Sequence, residues 1–253
     1  YSHSAPDDPI VSPGHAGMSH QHDFFGNRST DADSTYASLR ATGSTCRAPA
    51  DASAYWVPAL LKDGQPVEPL GVKVYYRALG EQDAALVEAF PAEFRMIAGD
   101  ATATSPQPRT VTRWACRMEE QSAGAVPPDC PAGATLDLHV SFPECWNGEL
   151  DSPDHRSHVA YGGRGSCPAS HPHVLPKLEM IVHYPIDGSG ELALASGPIY
   201  SAHADFFNAW APERLSALVS DCLTATERCG PAGLADRGAA AGGRSSRRLF
   251  SVP

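Results

Sequence analysis

Histidine and aspartate recur in this chain in short patterns that suit metal binding or proton transfer. His20-x-His22, followed by Asp23, presents two imidazoles to one side of an extended segment, because strand side chains alternate with period 2. Such a pair commonly supplies two ligands to zinc or copper. His203-x-Asp205 repeats the arrangement, and SHQHDFFGN and SAHADFFNAW share the order His, Asp, Phe, Phe, Asn. His20, His22, His203 and Asp205 are therefore the candidate ligands of a divalent ion, zinc or copper. The alternative is structural: Phe24, Phe25, Phe206 and Phe207 anchor two edge segments while the histidines bond backbone carbonyls.

A second concentration lies between His139 and Tyr184, which hold six of the eleven histidines. Within it, Asp151-Ser152-Pro153-Asp154-His155-Arg156-Ser157-His158 sits between Cys145 and Cys167. Histidines at i and i+3 meet on one side of a helical turn, where a neighbouring carboxylate can orient an imidazole or take its proton. His171 precedes Pro172, which holds it extended. Asp154, His155, His158 and His171 are the candidate acid/base residues. Against this, Ser152 could cap a first turn that Pro153 opens, leaving half-exposed histidines. No G-x-S-x-G, P-loop, G-x-G-x-x-G or H-E-x-x-H pattern occurs. Glu144, Glu149, Asp151 and Asp154 could supply a glycosidase pair, but that chemistry depends on a separation the sequence does not contain. The tryptophans and tyrosines could stack on sugars, although such residues more often form core.

The elements around these residues read as short strands. Pro 23 and Gly 22, against few long helical patterns, favour strands joined by irregular loops. LDLHVSF and LEMIVHYP alternate apolar and polar residues, as do Arg109–Cys116 and Val72–Tyr76. Residues 1–19 read as an extended surface segment, and Glu119–Gly133 as a loop holding Cys130. Pro212–Cys222 has helical apolar spacing, with Pro near its start and Glu213 after it. The expected fold is mainly β, a sandwich or jelly-roll-like single domain over residues 1–230. It has long disulfide-braced loops and one C-terminal helix, with a disordered tail over 231–253.

Composition bounds the partners. A formal charge of −10, with no basic run before the tail, argues against a nucleic-acid partner. No apolar stretch is long enough to span a bilayer. The seven cysteines contain no C-x-x-C pair, so dispersed disulfides in an oxidising compartment are the better reading. Short local loops suggest Cys116–Cys130, Cys145–Cys167 and Cys222–Cys229, and the odd count leaves one thiol over. A start at Tyr1 without a signal peptide fits a processed secreted protein, as it would a trimmed fragment.

Taken in order, DPIVSPG, SHQHDFFG, AYWVPAL, FPECWNG with LDSPDHRSHVAYG, CPASHPHVLPKLEMIVHYP and HADFFNAW resemble a known family across residues 7–230. It is the secreted bacterial and fungal family Domain of Unknown Function nineteen ninety-six, whose fungal members are sometimes joined to WSC carbohydrate-binding modules. The family's histidine motifs match at His20, His22, Asp154, His155, His158, His171, His203 and Asp205. The resemblance implies an extracellular, disulfide-bearing domain and brings no settled mechanism. The expectation is a secreted, histidine-rich pocket acting on an extracellular polysaccharide or cell-wall component, with hydrolysis the best-fitting reaction. The alternative is a non-catalytic glycan-binding or metal-binding module with structural histidines.

Overall fold

The structure is a computed structural model that describes residues 1–78, 84–117, 119–163, 166–225, 229 and 249–252; for 119–122 and 249–252 only the backbone is considered. Eleven strands build two antiparallel sheets. They are β1 (His3–Ala5), β2 (His22–Gly26), β3 (Ala54–Pro58), β4 (Gly71–Arg77), β5 (Arg95–Gly99), β6 (Thr112–Cys116), β7 (Glu119–Gly124), β8 (Leu136–Ser141), β9 (Lys177–Tyr184), β10 (His203–Phe207) and β11 (Leu249–Val252). One sheet has the order β1-β2-β3-β10-β5, the other β11-β4-β9-β8-β6-β7.

The period-2 pattern of the second sheet decides its faces. Leu136, Leu138 and Val140 of β8, with Leu178, Met180 and Val182 of β9, are fully buried. They share one core with Phe25, Tyr55, Met96 and Phe206 of the first sheet. The two sheets thus pack face to face, as alternating apolar faces require. At the centre, Trp210 Nε1 donates to the Tyr76 hydroxyl, which lies 2.7 Å from that of Tyr55, and Tyr55 donates to Asp51. These buried polar groups are tolerated because each has a partner.

The intervening residues of β8 and β9 face outward and carry charge. Arg113 donates to His139 and to Glu179, and Arg77 pairs with Glu179 at 2.7 Å. Burial alone would raise the Glu179 carboxyl; the His139 hydrogen bond and the two guanidiniums bring it down to about 2.

The first sheet buries both faces. On the side away from the shared core, Phe24, Trp56, Ile97 and Phe207 pack under Ile10 of the N-terminal segment and Leu39 of a short helix, α1 (Tyr36–Ala41). Residues 1–19 are therefore only partly a surface segment: Asp8 and Ile10 are buried, and His3–Ala5 pairs with β2. Glu119–Gly124, expected as loop, forms a strand against β6.

The three disulfides are Cys116–Cys130, Cys145–Cys167 and Cys222–Cys229, with Cys46 free. The C-terminal helix, α2, is α-helical over Pro212–Leu218 and continues as a π-helical stretch over Val219–Thr224. Most of 231–253 lies outside the described residues; Leu249–Val252 pair with β4 at the sheet edge. Among the described residues no helix is long and apolar enough to cross a membrane.

Candidate functional site

Strand register brings the two histidine patterns together. β3 lies between β2 and β10, so Phe24 and Asp205 both face Trp56 in the ladder. With period 2, His22 and Phe24 share the outer face of the sheet with His203, Asp205 and Phe207. His20 lies just before β2 and turns back onto this face. Its ring centroid is 4.2 Å from that of His22 and 5.1 Å from that of His203. Asp8, from the segment crossing the sheet, completes the group.

Ligating atoms of His20, His22 and His203 lie within 4.8 Å of one another, as do those of Asp8, His22 and Asp205. His22 belongs to both sets and is fully buried. Its Nδ1 is 2.9 Å from the Asp7 carbonyl, and His203 Nδ1 is 2.8 Å from the Ser201 carbonyl. A carbonyl only accepts, so each Nδ1 carries the proton and each Nε2 is left with its lone pair. Backbone anchoring of this kind orients imidazoles that ligate metals. His22 Nε2 and Asp205 Oδ2 are buried without a hydrogen-bond partner among the described residues. Orphaned buried polar atoms are costly and call for an explanation.

The electrostatics suit a cation. Burial lowers His20. Burial, reinforced by its two neighbouring histidines, holds His22 well below the usual imidazole range. Burial brings His203 down to about 4. Burial pushes Asp205 well above the carboxylate range, and the nearby Asp8 carboxyl pushes the same way. Asp8 is raised chiefly by burial as well. Neutral imidazoles with lone pairs beside buried carboxyls are a donor set that suits a divalent ion.

A cavity of about 280 Å³ opens beside the cluster, lined by Asp8, Met18, His20, Arg156, His203 and Asp205 among others. Gly99 pairs with His203 across the ladder. Gly99 has φ +80°, and a Cβ there would lie 2.5 Å from the Ala202 carbonyl oxygen. Only glycine lets β5 approach β10 this closely.

The loop carrying Asp154, His155, His158 and His171 is placed differently. Asp154 is exposed, and its Oδ1 accepts from Arg156 N, Ser157 N and the Ser152 and Ser157 hydroxyls. Those bonds hold its carboxyl far below the ordinary range. His158 is buried with both ring nitrogens engaged, Nδ1 with Ser152 Oγ at 2.9 Å and Nε2 with the Arg95 carbonyl at 2.7 Å. His155 has φ +55°, which interrupts any helical turn, and its Nδ1 meets Asp151 at 3.0 Å. His171 bridges the Ser157 carbonyl and Ser170 Oγ. His155 is the one among them close enough to Asp8 to favour its ionised form.

Asp8 and Arg156 are the cavity residues that sequence reasoning missed. Asp8 stands in a Pro/Gly-rich stretch without periodicity; Arg156 was visible only as the residue between two histidines. With the geometry in place, comparison with known proteins adds one result. No curated protein and no solved structure matches the chain. The family described as "Domain of unknown function (DUF1996)" matches residues 8–210, a span that runs from Asp8 to Trp210 and contains every residue of this cluster, and the chain belongs to that family.

Proposed function

We propose that this is a metal-binding protein whose site takes one zinc or copper ion on His20, His22 and His203, with Asp205 or Asp8 as an oxygen ligand. One observation carries the reading: His22 Nε2 and Asp205 Oδ2 are buried without a hydrogen-bond partner among the described residues, with Asp205 Oδ2 3.9 Å from His203 Nε2 and a third imidazole alongside. A set of three nitrogens and one carboxylate suits either ion. Three disulfides agree with an oxidising, extracellular setting.

The site is further proposed to act on an extracellular polysaccharide by hydrolysis. A bound ion would supply Lewis acidity to a water, and the carboxylate left off the ion would accept its proton. The cavity beside the histidines gives a substrate access to that point. Asp154, His155, His158 and His171 then shape the loop over the cavity, with His155 the nearest of them to Asp8.

Elemental analysis and calorimetric titration with zinc and copper test the reading, on wild type, H22A and H203A. One equivalent should bind to wild type and none to either variant, and a chelator should abolish release of reducing sugar from a susceptible polysaccharide. Absence of uptake by wild type, with several kcal/mol of stability lost in both variants as for buried bonded residues, would favour the non-catalytic module with structural histidines.

A further inference from the structure

A second cleft, of about 320 Å³, adjoins the cavity beside the histidines. The two share Ile97 and Arg156. Arg156 Nη1 donates to the Gly99 carbonyl, so the side chain is anchored by the strand that packs against His203. Among the described residues Arg156 forms no ion pair. Its neighbours in the loop region differ: Arg95 reaches Asp151 at 3.9 Å, and Lys177 reaches Glu144 at 3.4 Å. The guanidinium lies near enough to Asp205 to favour its ionised form, which puts it beside the proposed metal.

The other walls of the second cleft are mostly apolar: Ile97, Val111, Pro143 and Val159. Tyr161 is 40% exposed, leaving its ring open to a ligand, while its hydroxyl donates to the Ser141 carbonyl. Gln107 spends its amide protons on the Tyr200 and Ala202 carbonyls. Asp100 at the rim is exposed and accepts from the Thr102 N–H and hydroxyl. Arg156 is thus the cationic group of a cleft with an aromatic wall; Asp100 and Asp205 lie near enough to feel its charge, yet among the described residues neither is within ion-pair distance of it. Arginine's planar fork matches a carboxylate bidentately. An apolar wall with one accessible aromatic ring suits the C–H face of a sugar.

We infer that Arg156 receives a ring carboxylate, so that the polysaccharide of the proposed function is an acidic, uronate-bearing one. One sugar unit lies against Tyr161 with its carboxylate on Arg156, and the next unit extends toward the histidines. The inference rests on the metal reading for the direction of the chain, while its recognition step depends on Arg156 alone.

Calorimetric titration of zinc-loaded protein with trigalacturonate, neutral galactotriose and triglutamate tests it, with metal content measured on the same samples. Wild type should bind trigalacturonate at least about tenfold more tightly than galactotriose, a difference near 1.4 kcal/mol. R156Q should erase that preference. R156K keeps one charge and a donor for Gly99 but lacks the fork, and its preference should fall several-fold; this variant decides the matter if R156Q does not fold. Equal affinity for the two sugars, an undiminished preference in both variants, or equally tight binding of triglutamate overturns the inference. A wild type that takes up no metal yet prefers the uronate overturns the metal reading and leaves the carboxylate subsite standing.

Discussion

His20 Nε2 and His203 Nε2 stand 3.2 Å apart, although 183 residues separate them in the chain. With His203 Nδ1 committed to a carbonyl, the His203 Nε2 lone pair faces His20, which can satisfy it by donating its own Nε2 proton. The pair is therefore satisfied only while His203 is neutral. A cation placed between them and His22 would take up the lone pairs of the His22 and His203 Nε2 atoms in place of that contact.

Asp205→Asn separates metal binding from stability. The asparagine is nearly isosteric and carries no charge, so metal-free protein should lose no stability and gain about 1 kcal/mol, because the desolvation of a buried carboxyl, which nearby Arg156 offsets only in part, is relieved. Metal affinity should fall at least about tenfold. Thermal melts with and without zinc, alongside titration calorimetry, read both changes.

Metal uptake should survive to unusually low pH. Protons begin to compete with a metal for an ordinary imidazole below its pKa near 6.5. His203 is held at about 4 by burial, and His22 is also depressed. Half-loss of bound zinc is expected between pH 4 and 6, followed by equilibrium dialysis in buffers of stepped pH. Half-loss at or above pH 6.5 would mean that the rings titrate as if solvated.

Asp23 supplies a stability prediction that depends on pH. Burial raises its carboxyl to about 6, although Ser4 donates to it. Because the folded value lies above the unfolded 3.8, ionisation opposes folding. That penalty is absent below about pH 4 and is complete above about pH 6. Asp23→Asn should stabilise the protein by about 1–3 kcal/mol at pH 7 and by nothing at pH 3.5. Denaturant titrations at the two pH values check it.

The Cys145–Cys167 bridge closes the loop that carries Arg156. Replacing both cysteines by serine should cost about 2–5 kcal/mol and weaken saccharide binding, while His20, His22 and His203 lie outside the bridged segment and should keep their metal. Thiol titration of unreduced, unfolded wild type should find the single free thiol of Cys46. Several thiols would contradict the three-bridge framework.

Truncation after residue 230 removes β11 from the edge of the second sheet. Loss of one short edge ladder should cost about 1 kcal/mol, or roughly 2–4 °C in melting temperature for a chain of this size. An unchanged melt would show that Leu249–Val252 add nothing to the sheet.

The strands of the second sheet were legible in the sequence because one face of each is apolar and the other charged. LDLHVS and LEMIVHY announce by alternation which residues enter the core, and Leu136, Leu138, Met180 and Val182 do so. The disulfides were legible because each closes a short local loop. The same local patterning proposed His20, His22, His203 and Asp205 as one group, since two strands with matching faces can share a ligand.

Tertiary structure alone decided the rest. That β2 and β10 flank β3 is a matter of strand order, which joins segments far apart in the chain and has no local sequence signal. Asp8 enters the cluster only because Ile10 docks on Phe24 and Trp56, a long-range contact without local periodicity. In the loop, acidic and histidine content marked residues 151–158 as chemically active. There Asp154 and His158 are absorbed by hydrogen bonds within the protein, while Arg156 reaches the cavity. Residue type and spacing determine which groups can do chemistry. Whether a group spends its lone pairs on its own backbone or keeps them for a ligand depends on the partners that folding brings to it, and those partners lie far away in the chain.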